Sequence, residues 1–364
     1  MQLQNIIDVL EQMAPLAYAE DFDNVGLLVG NRNQTINGIL VCHDAIEEVV
    51  EEAIAEKANL IVCFHPILFR GIKKITGKDY VERAILKAIK HDIAIYAVHT
   101  ALDNHKNGVN KIICDVLNIQ NPKVLIPKED FIYKLTTYVP EQNAQKVREA
   151  LFRAGAGAIG NYDNCSFSSL GEGSYRGNDN SNPTIGNKNE LTFTPESKIE
   201  VVFEKYLQNK ILTALFEAHI YEEVAYQITP TLNKHQQIGL GMIGELERPT
   251  TALEFLNFVK QQMKVSVIRH SMLLDKPIRK VAVLGGSGAF AIEVALAQKA
   301  DVLLTADLKY HDFFRTEGKI ILADIGHYES ERYTKKYIID YLTKKIPNFA
   351  ISLSKHNTNP VKYL

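Results

Sequence analysis

DVLLTADLKYHDFFRTEGKIILADIGHYESERYTKKY, residues 301–337, holds two short apolar runs that each end in polar groups, followed by an amphipathic helix. The second run, IILADI, stops at Gly326, and His327, Tyr328 and Glu331 follow where the helix begins. A glycine between strand and helix suits a turn that needs unusual backbone angles or close approach to a ligand. His327 and Glu331 are four residues apart, so both side chains lie on one helical face, at a spacing that metal ligands use. The positive end of the helix dipole disfavours imidazolium, so His327 is expected to be neutral and able to donate a lone pair. An exposed His and Glu that only stabilise a helix start share this spacing. The two readings separate on whether the chain supplies further ligands.

Working outward, the N-terminal third repeats the same grammar. GILVCHDA, LIVCFHP and IAIYAVHTALDN read as strands, with helices through IEEVVEEAIAEKA and from about Asp79 to Lys90 between them. That alternation builds a mostly parallel sheet and an α/β class. Strand after strand ends in a group able to coordinate: His43 and Asp44, His65, His99 and Asp103, Thr305 and Asp307, Asp324 and His327. Parallel α/β sheets bind ligands beyond the carboxyl ends of their strands, where loops and helix N-termini gather.

From about Pro127 the texture changes. FIYKLTTYVP, EQNAQKVREALFRAGAG, KIEVVFEKY, KILTALFEAH and EEVAYQIT, with a Gly, Asn and Ser-rich stretch before KIEVVFEKY, give the order strand, helix, two strands, helix, strand. This is the order of a split βαβ, ferredoxin-like module inserted into the α/β frame. The stretch from Gly171 to Glu190 reads either as a binding loop or as a loose hairpin tip. The chain thus divides into a first α/β half at 1–126, the insertion at 127–235, and a second α/β half at 236–364 completing the site. In that half VAVLGGSGAF places Gly285, Gly286 and Gly288 between strand and helix. The spacing lacks the full dinucleotide fingerprint, which leaves a tight-packing turn or a phosphate contact.

Composition narrows the classes. A formal net charge of -2 over 364 residues gives no global basic field for a nucleic-acid backbone. Cys42, Cys63, Cys114 and Cys165 are widely spaced, which argues against a zinc-thiolate site or a disulfide framework. Cys42 and Cys63 read as small core residues. With neither a signal-peptide pattern nor a run of membrane-spanning length, the expected location is cytoplasmic.

Six ordered blocks, DFDNVGLLVG, FHPILFRGIKKI, AVHTALDN, VAVLGGSGAF, LLTADLKYHD and GHYESE, resemble the GTP cyclohydrolase I type 2 homologues, also called NGG-one interacting factor three-like proteins. The resemblance implies two related α/β halves forming one mixed or parallel-sheet core, and a toroidal homohexamer with paired divalent metals facing a cavity. It implies that the insertion is similar to PII and CutA proteins. Carried over residue by residue, the family's ligand pattern falls on Phe64 and His65, on Asp103, and on His327 and Glu331, with Glu331 bridging. Phe64 stands where the family has a histidine and cannot coordinate. One firm site is therefore expected, and a second that is weak or rebuilt by His99 or His43. Two imidazoles and two carboxylates suit zinc, iron or manganese. The implied chemistry is metal-assisted hydrolysis of a nucleotide or phosphoester, with His99 as proton-transfer group or as support for Asp103. Asp307, His311 and Tyr328 are weaker contacts. The alternative is a non-catalytic metal-binding ring scaffold whose insertion senses a small ligand.

Overall fold

The computed structural model describes residues 1–364, which divide into two compact units: Met1–Ile126 with Gln237–Leu364, and Pro127–Gln236. In chain order the first unit begins with α1 (Leu3–Met13), β1 (Gly26–Val29), β2 (Gly38–Cys42), α2 (Glu47–Ala55), β3 (Leu60–Cys63), α3 (Tyr80–Lys90), β4 (Ala94–Ala97), α4 (His99–Asp103), α5 (Val109–Val116) and β5 (Gln120–Lys128). The second unit contains β6 (Ile132–Pro140), α6 (Ala144–Ala154), β7 (Phe167–Arg176), β8 (Leu191–Glu204), α7 (Gln208–Ala218) and β9 (Tyr226–Pro230). The first unit resumes with β10 (His235–Thr250), α8 (Ala252–Gln262), β11 (Arg269–His270), β12 (Ile278–Ser287), α9 (Ile292–Ala297), β13 (Val302–Ala306), β14 (Ile321–Asp324), α10 (His327–Glu331), α11 (Thr334–Lys345) and β15 (Ala350–Leu353).

The first unit is mixed α/β. Its strands form two sheets, ordered β1-β4-β3-β2-β15 and β11-β14-β13-β12-β10-β5, where the sequence suggested one. Each is built on a parallel triplet, β2-β3-β4 and β12-β13-β14, with a short antiparallel strand beside the third member. Every residue of β2, β3, β4, β13 and β14 is buried, as parallel strands covered on both faces require. The two halves exchange their ends. C-terminal β15 pairs in parallel with β2 of the first sheet, while β5 from the N-terminal half joins the second. A half that begins its sheet cannot close it alone. One apolar cluster joins both sheets, with Val41, Val62 and Tyr96 from one, Val281, Leu304 and Ala323 from the other, and Leu10, Phe255 and Ile338 from the helices.

Local chemistry fixes the helix ends. Leu3, Ile6, Ile7, Leu10 and Met13 give α1 a buried stripe at helical spacing. The Asp79 side chain caps α3 by accepting from the Glu82 amide, and Thr251 with Glu254 forms a reciprocal capping box on α8.

The second unit is a four-stranded antiparallel sheet in the order β7-β8-β6-β9. Val147 and Leu151 of α6 and Ile211 and Leu215 of α7 pack with Leu135, Val139, Ile199, Val201 and Phe203 of the sheet. The polar stretch is not a loose tip. Gly171–Arg176 belongs to β7, which pairs with β8 as far as Arg176 opposite Leu191. Only 177–190 is loop, tied down by Thr184 to the Ile220 carbonyl and by Asn189 to Asp179. Gly and Ser concealed this strand because an exposed edge strand needs no apolar alternation. No helix is long and apolar enough to cross a membrane.

Candidate functional site

The carboxyl ends of both parallel triplets open into one cavity of about 680 Å³, lined by His65, His99, Asp103, Gly286, His327 and Glu331 among others. At its floor lies Glu331, 3% exposed. Its Oε2 is approached by His65 Nε2 at 3.2 Å, His327 Nε2 at 3.3 Å and His43 Nε2 at 3.5 Å. None of the three approaches has hydrogen-bond geometry for that oxygen. Three imidazole nitrogens aimed at one buried carboxylate oxygen form a donor set that could hold a cation.

Carboxylates behind the rings set their orientation. His65 Nδ1 meets Asp44 at 2.8 Å, His99 Nδ1 meets Asp23 at 2.8 Å and His327 Nδ1 meets Asp307 at 2.7 Å. A carboxylate on Nδ1 fixes the ring and turns Nε2 forward, as metal-binding histidines require. The carboxylates are themselves held: Asp44 by Thr358, Asp23 by Thr100, Asp307 by Ser287. His43 has no such partner. It is 2% exposed, and neither ring nitrogen has a hydrogen bond. Burial lowers its pKa, which favours the neutral ring with one nitrogen lone pair available.

Charge in this protein without a cation runs against the expectation for His327. Burial works against imidazolium, but the bond to Asp307 and the adjacent Glu331 carboxylate outweigh it and push the pKa up to about 11. His65 follows the same balance with Asp44 and Glu331, reaching about 9. A helix of five residues carries too small a dipole to compete with two adjacent carboxylates. Burial would also raise Glu331, but the rings of His327, His43 and His65 hold it well below the usual range. Asp103, 9% exposed, is driven the other way by burial and by the charge of Glu331, and its Oδ1 has no partner. The orphaned atoms of His43, Asp103 and Glu331 are what a bound cation would satisfy, so the residues fit a metal. Two groups have donor atoms close enough for one ion: His65 with His327 and Glu331, and His43 with Asp44 and His65.

The glycine turn is not a phosphate cradle. The Gly285 amide donates to Asn110 Oδ1 at 3.0 Å, that of Gly286 to Ser330 Oγ at 2.9 Å, and that of Gly288 to the Ala306 carbonyl at 3.4 Å. With those donors spent, the turn serves packing: at Gly286, φ +68°, a methyl group would overlap the Glu331 carboxylate.

Residues 1–360 match the family described as Duf34/NIF3 (NGG1p interacting factor 3). The chain belongs to that family. The Duf34/NIF3 relatives include the GTP cyclohydrolase 1 type 2 homolog of Bacillus subtilis (strain 168), 38% identical over 369 residues, covering 99% of this chain and 98% of that one. The protein of the same name from Halalkalibacterium halodurans is 42% identical over 309 residues, 85% of this chain and 83% of its own. Among solved structures, a Bacillus cereus protein related to NIF3 superposes with a TM-score of 0.85 at 36% identity, covering 100% of this chain and 99% of that one. Staphylococcus aureus protein SA1388 gives 0.79 at 27% identity, with 100% and 99% covered.

Of the residues singled out in the sequence, the structure brings His65, His327 and Glu331 into one group and places Asp103 and His99 on the wall of the same cavity. Asp307 backs His327, and Tyr328 packs edge-on against His43 with centroids 5.1 Å apart. His311 is elsewhere, exposed against Tyr310 and Phe314. Asp23 was missed as the anchor of His99, and Asp44 as the anchor of His65. Their only sequence signal was a carboxylate flanking a strand.

Proposed function

We propose that this chain is a divalent-cation-binding protein whose centre supports hydrolysis of a nucleotide or phosphoester. The observation that carries this reading is the convergence of three imidazole nitrogens on Glu331 Oε2, within 3.2–3.5 Å. His65, Asp103, His327 and Glu331 would hold the cation, zinc, iron or manganese, and His43 with Asp44 and His65 would offer a second, weaker position. Once bound, the cation supplies a water of lowered pKa and polarises the electrophile. His99, anchored through Nδ1 on Asp23, presents Nε2 to the same cavity and is placed to move a proton. Phe22 and Phe69, centroids 6.4 Å apart, and Phe290 also line the cavity and offer faces for a planar base. Arg70, Lys73, Lys74 and Lys78 stand on the segment that follows Phe69 and would draw in an anionic group.

A non-catalytic metal-binding scaffold is the second reading, favoured by Phe64, which is fully buried among the histidine rings and gives the centre one ligand fewer. On either reading we place residues 127–235 as an inserted ferredoxin-like, PII/CutA-like domain; the antiparallel order β7-β8-β6-β9, with helices after the first and third strands, supports this. A cytoplasmic homohexamer is part of the proposal. Metal analysis of protein purified without added metal, followed by turnover assays on GTP and simple phosphoesters, tests it. We expect close to one firmly held ion per chain and activity lost in both Asp103→Asn and Glu331→Gln. A metal-free protein that takes up no added divalent ion overturns the metal centre, and turnover unaffected by both variants overturns the hydrolase.

A further inference from the structure

The second unit has a cavity of its own, about 530 Å³, within the size range of small-molecule sites. Strands β6, β7 and β8, the loop after β7 and the segment before β9 enclose it. Its wall is unusual in two respects. Tyr138, Tyr175 and Tyr221 contribute three aromatic rings, and Glu172, Glu196, Glu222 and Glu223 contribute four carboxylates against a single guanidinium, Arg176.

Glu196 is the most telling of these. In β8 the core-facing residues are Ile199, Val201 and Phe203, so strand alternation turns Glu196 to the opposite face, where a carboxylate ordinarily meets solvent. It is instead 8% exposed. Its Oε1 accepts from the Tyr221 hydroxyl at 2.9 Å, and Oε2 is left open to the cavity. Glu196 stands opposite Gly171 in the register and leans over Gly173, two residues along β7, where any side chain would collide with its carboxylate. A buried carboxylate with one oxygen satisfied by protein costs stability unless the other finds a partner. The rings beside it are fixed in place: Tyr175 and Tyr221 pack edge to face at 5.7 Å, and the Tyr175 hydroxyl donates to the Ile185 carbonyl at 2.9 Å.

We infer that this cavity binds a small organic cation, an amine or methylated ammonium, with its charged head beside the packed Tyr175–Tyr221 pair and against Glu196. Aromatic faces attract ammonium groups through the ring quadrupole, and the buried carboxylate supplies the counter-charge. A bare metal ion fits less well. The carboxylates here do not come within the mutual distance that marks the two groups in the first unit able to share one ion. An anionic ligand is opposed by the four-to-one charge balance of the wall.

Calorimetric titration of the full-length chain with tetramethylammonium, choline and spermidine, each in 150 mM sodium chloride, tests this inference, with magnesium and manganese chloride titrated in parallel. At least one ammonium should bind saturably at one equivalent per chain and shift the tyrosine fluorescence. Glu196→Gln should weaken it at least tenfold, Tyr175→Leu by a similar factor, and the surface variant Glu223→Gln by a few fold. Because Glu196→Gln and Tyr175→Leu alter buried positions, each is first compared with wild type by circular dichroism. If either fails to fold, the Glu223→Gln loss alone must appear. Absence of saturable ammonium binding, equal binding by folded Glu196→Gln, or Glu196-dependent binding of the metal ions tighter than of any ammonium would each overturn the inference. Since the Glu331 centre is in the other unit, a Glu331→Gln protein should bind the ammonium unchanged, and failure of one proposal leaves the other standing.

Discussion

The two halves of the first unit share a frame and furnish it differently. In each, three parallel strands end at the cavity and the third runs into a five-residue helix beginning with His and ending with an acid, His99–Asp103 in one and His327–Glu331 in the other. Beyond that, β2 and β3 end in His43 and His65, whereas β12 and β13 end in Gly286 and Asp307. The first half supplies two of the three nitrogen donors, His43 and His65, and the second half supplies the third, His327. The second supplies the charge they face and the room to bring it there, since Gly286 leaves space for the Glu331 carboxylate. A repeated fold can therefore build a centre that neither copy contains, with more of the imidazoles from one copy and the clearance and most central carboxylate from the other.

Glu331→Gln attacks that division most directly. Neutralising the one carboxylate shared by three imidazoles should cost at least a hundredfold in divalent-metal affinity, about 3 kcal/mol, measured by competition with a chelating dye. Asp103→Asn, at the corresponding place in the first half, should cost less. If Asp103→Asn is the more damaging, the assignment of counter-charge to the second half is wrong.

Gly286→Ala tests clearance rather than charge. The left-handed backbone and the overlap with Glu331 should together destabilise the protein by roughly 1–3 kcal/mol and weaken metal binding as the carboxylate is displaced. Gly285→Ala would meet the Val109 side chain instead, without a positive φ, so it should perturb stability while leaving the centre better preserved. Thermal melts with and without added metal separate the two.

Phe64→His extends the first half's specialisation. The phenyl ring lies 5.4 Å from the ring of His43, 4.9 Å from that of His65 and 5.6 Å from that of His99, so an imidazole there enters an existing ring of donors. Metal content should rise by up to about one equivalent per chain, at a stability cost of about 1–2 kcal/mol for a polar group in an apolar position. Unchanged stoichiometry in a folded variant would mean that the second position is not limited by Phe64.

How far this asymmetry could be read beforehand follows from its physics. Alternation of apolar runs with helices, and polar groups at strand ends, expose the α/β class and the residues His65, His99, Asp103, His327 and Glu331, because strand phase and helical spacing are local properties. Splitting into two sheets depends on β15 reaching β2 from more than three hundred residues away, and nothing local to either strand announces it. Gly286 could be read as a packing turn or a phosphate turn because a glycine needed for clearance and a glycine needed for an anion have the same letter. Only the partners of its amide distinguish them. Asp23 became visible only through packing, by a bond across 76 residues, and His43, already one of the strand-end candidates, is set apart by the bonds it lacks.

Proton linkage gives the smallest expected effect, and its sign is fixed by the two halves together. In metal-free protein His65 and His327 are raised to about 9 and about 11 by carboxylates that the unfolded chain does not hold beside them. A histidine whose folded pKa lies above its unfolded value of about 6.5 contributes stability that is complete below that pH and is lost as pH rises through the folded value. Chelator-treated protein should therefore melt progressively lower from pH 7 to 10, by a few degrees. His327 is 38% exposed, so solvent screening reduces its share. Metal-loaded protein has exchanged those protons for the cation and should be flat over the same window, while metal affinity itself rises with pH because binding expels protons. Parallel slopes for the two forms would mean that the cation does not displace the protons on His65 and His327, and would remove both residues from the ligand set.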